Sequence, residues 1–262
     1  MAKPSTQART LFVTPDAIFV PTGKGKISQC GRSCACGFSA TLSSLIGDLL
    51  EEGIDVHVAQ PDYRNLFGAL ALDNLDLPGS KLPAYRLHLA RDRIFFYTKW
   101  LDSNAKWENI RISLAFQREV INNIIPWVQP DSIHCHDWFT GLIPAIAKKL
   151  GIPCLFTVHR IQTARCLLSD VEEMGIDGGQ FWQHLFFERF PDNYEETRDT
   201  NPVDLLLSGI IAAYRPKTVA PKPLADFVAR QQLVTKAPVG QMLDHKCDPT
   251  LSFELLRTTA VY

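Results

Sequence analysis

The chain has 262 residues, 46% of them hydrophobic, which suits a globular protein with a sizeable core and excludes a disordered segment. Acidic and basic residues nearly cancel to a formal charge of -1, so no whole-molecule field draws the chain to nucleic acid or to an anionic membrane, and an anionic ligand must be held locally. Met1 to Thr10 lacks the apolar centre of a signal peptide, and no run of about eighteen apolar residues occurs, so a cytoplasmic protein is expected.

Arg9 to Val13 (R-T-L-F-V) reads as a first buried strand stopped at Pro15. A long loop follows. It is rich in glycine (Gly23, Gly25, Gly31, Gly37) and carries Lys24, Lys26 and Arg32. Phe38 to Glu52 has apolar residues at helical spacing and Gly53 as its stop, and Asp55 to Gln60 reads as the next strand. Strand, helix and strand in this order form a βαβ unit, which implies a parallel sheet.

Tyr85 to Ala90 and Arg93 to Tyr97 are expected as an outlying pair of strands, a β-hairpin insert. Asn104 to Val128 is the longest helical candidate, with Ile110, Leu114 and Ile121 on one face. Then come a strand from Ser132, a helix over Gly141 to Leu150 stopped at Gly151, and a strand from Pro153. Gln180 to Arg189, rich in Phe and Trp, is expected as a helix whose aromatics pack the core. Pro202 to Tyr214 reads as a buried helix with proline in its first turn, Lys217 to Ala220 as a last strand, and Leu224 to Gln232 as a last helix. The fold expected is a single doubly wound α/β domain over residues 1–262, built on a mostly parallel sheet.

Two strands of that sheet end in polar residues. A strand covered on both faces is apolar along its length, so His134, His136 and Asp137 in the run Ser132 to Leu142, and His159 and Arg160 in the run Leu155 to Arg160, mark a crevice at the carboxyl edge of the sheet. His134 sits mid-strand and is read as a satisfied core residue, whereas His136, Asp137 and His159 lie where packing alone does not call for a polar group. The basic glycine loop after the first strand should meet the same crevice. Its backbone N–H groups suit a phosphate, although it is neither G-x-G-x-x-G nor a Walker sequence, and a plain surface loop is an equal reading.

The seven cysteines are odd in number and come without a secretory signal, so reduced thiols are expected. Cys135 and Cys154 read as small core residues. Cys30, Cys34 and Cys36 form a C-x3-C-x-C cluster that matches no standard zinc pattern; solvent thiols are the simpler reading, and a soft-metal site or redox switch the alternative. No cofactor is expected.

The run H-C-H-D-W-F-T-G-L (His134 to Leu142), followed by L-F-T-V-H-R (Leu155 to Arg160), resembles the H-A-H-D-W-H-x-G-L and V-F-T-V-H-N signatures of bacterial glycogen synthases and plant starch synthases. Phe38 to Tyr63 is similar to that family's first helix and second strand, Glu108 to Phe116 to its D-N-x-x-R-F-A segment, and Leu205 to Pro221 to its K-x-G-I-x-x-A-D-x-V-x-T-V-S-P segment. The resemblance implies a Rossmann-like N-terminal domain, one half of a two-domain GT-B glycosyltransferase. Such an enzyme moves glucose, with retention, from ADP-glucose to the non-reducing end of an α-1,4-glucan. It implies that Asp137 contacts the reacting sugars, that His159 hydrogen-bonds the transferred glucose, and that the loop ending at Gly37 approaches the donor phosphates. His136 and Arg160 would join that donor and acceptor surface.

The departures are specific. Where the family has K-T-G-G-L-A-D, this chain has Cys34 to Ala40, so the phosphate-facing lysine and the aspartate are replaced, with Lys24, Lys26 or Arg32 as substitutes from the longer loop. Phe139 stands for the family's histidine and Arg160 for its asparagine. The family's second, nucleotide-binding domain is expected from a separate C-terminal half. The alternative is a catalytically silent relative that binds α-glucan or a partner protein through the same cleft.

Overall fold

The structure is a computed structural model, and it describes residues 8–16, 19–22, 26–29, 38–67, 86–98, 105–213 and 215–218. In chain order the elements begin with β1 (Arg9–Val13), β2 (Phe19–Thr22), β3 (Lys26–Gln29), α1 (Phe38–Glu51), β4 (Asp55–Pro61) and β5 (Arg86–Ala90). They continue with α2 (Trp107–Glu119), α3 (Ile125–Val128), β6 (Ser132–His136), α4 (Ile143–Leu150) and β7 (Cys154–Val158). The last are β8 (Arg165–Cys166), α5 (Leu168–Glu173), α6 (Tyr194–Thr200), β9 (Val203–Asp204), α7 (Leu205–Ala212) and β10 (Arg215–Thr218).

Six strands form one sheet in the order β10-β7-β6-β1-β4-β5, and every neighbouring pair is parallel. The chain starts in the middle, runs outward through β4 and β5, then returns to the other side of β1 for β6, β7 and β10. This is a doubly wound α/β sheet, and its order reverses between β1 and β6. Ligand crevices form at such a reversal because the two adjacent connections leave toward opposite faces of the sheet.

Alternation along the strands divides the core. Phe12, Val56, Val58 and Leu87 pack with Leu42, Ile46, Leu49 and Leu50 of α1 on one face. Leu11, Val13, Ile133, Cys135, Phe156 and Val158 belong to the larger cluster with α2, α4 and α7. Two glycines set how closely elements approach there. A Cβ on Gly209 of α7 would lie 2.3 Å from the Phe156 ring, and one on Gly141 would lie 2.0 Å from the Leu205 carbonyl oxygen. Bare backbone at both places lets α7 sit against β7 and against the turn that follows β6.

Several expected elements differ. Arg86–Ala90 is no hairpin strand: it pairs with β4 in parallel at the sheet edge, with Ala59 opposite His88. Arg93–Tyr97 is a 3-10 turn, started by the Asp92 side chain, which accepts the Ile94 N–H at 2.7 Å. The long helix is interrupted by a π-turn at Val120–Ile124 ahead of Pro126, a residue that can donate no backbone hydrogen bond. Part of the loop after β1 is a small antiparallel pair, β2 with β3, and Lys26 opens β3.

Gln180 to Arg189 is not a helix. Its backbone forms 3-10 turns at Gly178–Gln180 and Trp182–His184 and a bridge from Phe187 to Val203, while Phe181, Leu185, Phe186 and Phe187 are buried in the larger core. Pro202 precedes the last described helix instead of sitting in its first turn, because Asp204 is the N-cap and accepts the Leu207 N–H at 3.0 Å. The expected helix Leu224 to Gln232 lies outside the described residues. No described helix is long and apolar enough to cross a membrane.

Candidate functional site

The sheet register brings the two polar strand ends together. His136 of β6 stands opposite Thr157 of β7, and the ladder continues one step with the Asp137 N–H donating to the Thr157 carbonyl at 3.0 Å. Asp137 then turns sharply. Its φ of 53° and ψ of -178° lie in a region that is essentially glycine's own and costs on the order of 1–3 kcal/mol for other residues. This turn sends the carboxylate across to β7, where Oδ1 accepts the backbone N–H of His159 at 2.7 Å and of Arg160 at 3.3 Å.

Three imidazoles line up beside it. His134 Nε2 and Thr157 Oγ1 are 2.8 Å apart, the His134 and His136 rings are 4.3 Å apart, and His136 Nδ1 lies 3.3 Å from His159 Nε2. Burial pushes His159 down to about 4, and the adjacent Arg160 guanidinium adds to the effect. Burial, with His134 and His159 as neighbours, holds His136 well below the ordinary histidine range. Both rings are therefore neutral at pH 7 and can each donate and accept one hydrogen bond.

Asp137 is pushed the other way. Burial raises its carboxyl to about 6, against the pull of the His159 and Arg160 N–H groups and of the Arg160 charge. At pH 7 it is mainly a carboxylate with one oxygen committed to backbone. Neutral imidazoles beside a carboxylate suit a ligand rich in hydroxyl groups, which can both donate and accept.

The turn after Asp137 is held from below by side chains that the sequence reading did not single out. Thr140 Oγ1 accepts the His136 N–H and donates to the His136 carbonyl, both at 2.9 Å. Leu142 N–H donates to Gln117 Oε1 at 2.8 Å, Gln117 Nε2 to Ser113 Oγ at 3.0 Å, and Ser113 Oγ to the Phe139 carbonyl at 2.9 Å. The available signal was Ser113 and Gln117, four residues apart on the buried side of α2, where such spacing places both on one face.

His136, Asp137, His159 and Arg160 thus converge. His134 is buried and hydrogen-bonded as expected, yet it also belongs to the imidazole row. Phe139 is buried and stacked on Trp138 with ring centres 3.8 Å apart. Lys24, Gly37, Cys30, Cys34 and Cys36 lie outside the described residues, and of Lys26 only the backbone is described. Among the described residues, no group of three or more His, Cys, Asp or Glu could hold a metal ion. Cys135 and Cys154 are buried with their sulfurs 3.9 Å apart.

The family model of the starch synthase catalytic domain matches residues 33–232. A glycogen synthase of Desulforamulus reducens is 27% identical over an alignment of 227 positions that covers 73% of this chain and 44% of that protein. Another, from Protochlamydia amoebophila, is 33% identical over an alignment of 102 positions that covers 36% of this chain and 19% of that protein. The chain spans less than half the length of these curated relatives. Among solved structures, a sucrose-phosphate synthase from Thermosynechococcus elongatus is similar with a TM-score of 0.47 at 15% identity, over 88% of this chain and 46% of that one.

Proposed function

Because this chain belongs to the starch synthase catalytic-domain family of glycosyltransferases, we propose that it is the acceptor-side half of a GT-B enzyme that transfers glucose, with retention, from ADP-glucose to the end of an α-1,4-glucan. The nucleotide is assigned to a second half, carried by a separate chain or by a continuation of this one. In this reading the Asp137 carboxylate and the neutral His159 ring face the transferred glucose, and His136 and Arg160 border them. Gly37, with Lys24 or Lys26, would approach the donor phosphates.

The observation that carries the reading is the convergence at the sheet reversal: Asp137 at the end of β6 bound to His159 and Arg160 at the end of β7. A site at that edge is where a doubly wound sheet binds its ligand. It is tested by following labelled glucose from ADP-glucose, and separately UDP-glucose, into glycogen, with and without an added second half. Transfer only in the presence of that half, and only from ADP-glucose, is the expected result.

The buried, stacked Phe139 favours one further reading, since it places no polar group where the family's signature has histidine. This is a relative that binds α-glucan without reacting. It predicts no transfer in any mixture, with the chain still retarded by glycogen in an affinity gel.

A further inference from the structure

Ser113, Gln117 and Thr140 are polar side chains sealed in an apolar core, each with no exposed surface. Buried polar groups that lose a partner are costly, so a fully satisfied set constrains the backbone it touches. These three touch the backbone of a single turn. The Leu142 N–H, Gln117, Ser113 and the Phe139 carbonyl form a chain of hydrogen bonds that runs in one direction, and the reversed Gln117 amide would set its NH2 against the Leu142 N–H. Thr140 closes the other side of the turn on the N–H and the carbonyl of His136. Between those two clamps sits Asp137, in a backbone conformation that a non-glycine residue keeps only when its surroundings enforce it.

We propose that Thr140 and Gln117 are positioning residues, which hold the turn so that the Asp137 carboxylate stays on the N–H groups of His159 and Arg160. Neither side chain is assigned a contact with substrate. Each acts on the site through Asp137, and the consequence for glucosyl transfer rests on the function proposed above. A relaxed turn would let the aspartate leave its strained conformation, withdraw Oδ1, and free the end of β7 that carries the His159 ring.

The test is amide hydrogen exchange on the chain without substrate. Thr140→Val keeps the side-chain shape and removes the hydroxyl. It should speed exchange at His159 and Arg160 by about tenfold, the scale of one lost hydrogen bond, while Leu155 and Phe156 in the middle of β7 follow only the change in global stability. Thr140→Ser, which restores a hydroxyl, should return the His159 and Arg160 rates toward those of the parent chain. If Thr140→Val does not fold, Gln117→Glu carries the same test, because a carboxylate can accept from Leu142 but cannot donate to Ser113. Equal acceleration at all four amides would overturn the proposal, since a purely structural loss loosens β7 as a whole. No substrate enters this measurement, so an absence of glucosyl transfer would remove the proposed function and leave this inference standing.

Discussion

Oδ1 of Asp137 accepts the backbone N–H of His159, 22 residues further along the chain, at 2.7 Å. One carboxylate therefore ties the ends of two neighbouring parallel strands, and does so from a strained turn. Asp137 thereby holds the backbone that carries the His159 ring.

Replacing Asp137 by asparagine separates these effects. The carboxyl is raised to about 6, so the fold disfavours its charge, and at pH 7 that charge is a stability cost. Asp137→Asn keeps an acceptor oxygen without the charge, and should leave stability unchanged or raise it by roughly 1–3 kcal/mol, since each pKa unit is worth about 1.4 kcal/mol. Neutral acceptors bind N–H groups less strongly than carboxylates, so on the function proposed above glucosyl transfer should fall about 100-fold or more. Urea midpoints and initial rates, read on the same preparation, check both. A clearly lower midpoint at pH 7 would contradict the account of the buried charge.

The pH dependence of stability follows from the histidines. His88 and His159 titrate near 4 in the fold, below the ordinary 6.5, both chiefly through burial. His57, His136 and His184 are lowered too, with burial again the first cause. Between pH 6.5 and about 4 the unfolded chain binds protons that these rings refuse, so their contribution is fully present above 6.5 and lost as pH falls. Asp137, raised to about 6, and Asp62 and Asp204, raised by burial, act in the opposite sense: their contribution is present at low pH and lost as pH rises. The histidines outnumber them, and the melting temperature should drop steadily from pH 6.5 to pH 4.5. His88 lies 2.7 Å from His57 Nδ1 and against Trp127, so His88→Gln should flatten that slope. A melting temperature that climbs on acidification would show that the carboxylates dominate.

Asp204 gives a stability test at the start of α7. Its Oδ1 caps α7 through the Leu207 N–H and also accepts from Thr163 Oγ1, while Oδ2 lies 3.6 Å from Arg165 Nε. Asp204→Ala removes the cap and leaves buried donors unsatisfied, which should cost about 2–4 kcal/mol. Asp204→Asn retains the capping oxygen and should cost less than half as much in chemical denaturation. Equal losses would assign the effect to the ion pair with Arg165 instead.

The strands that build the site were legible because β1, β4, β6 and β7 are short runs with apolar residues at alternate or successive positions and clear stops, and because His136, Asp137 and His159 gather polar groups at one edge. What periodicity does not carry is the choice of partner. Arg86–Ala90 has strand character in either a hairpin or a sheet edge, and only the three-dimensional register sets it beside β4. Ile94, Phe95 and Phe96 favour a strand by propensity, yet the Asp92 cap and the burial of Phe95 edge-on to the Tyr63 ring settle a 3-10 turn. The aromatic run after Gln180 packs as expected without being helical, since burial of Phe181, Phe186 and Phe187 needs no helix. Ser113, Gln117 and Thr140 passed unread because single polar residues in an amphipathic helix or turn look solvated until their burial is seen.

The glycines sort by what surrounds them, and this gives a graded prediction. Gly151 ends α4 at a φ of 72° with nothing within 4 Å of an added Cβ, so Gly151→Ala meets only the left-handed backbone and should cost about 1 kcal/mol. Gly209→Ala would push a methyl to 2.3 Å from the Phe156 ring, and relief requires α7 to lift from β7. Overpacking of this kind costs about 1–3 kcal/mol or more. Gly141→Ala should be the most damaging, because the 2.0 Å contact is with the Leu205 carbonyl oxygen, part of a backbone that no rotamer change can move aside. The same shift would displace the turn that carries Asp137, so this variant should speed exchange of the His159 amide as well as lose stability. Guanidinium midpoints in the order Gly151→Ala above Gly209→Ala above Gly141→Ala are expected, and a Gly141→Ala protein as stable as the parent chain would mean that α7 does not sit against this turn.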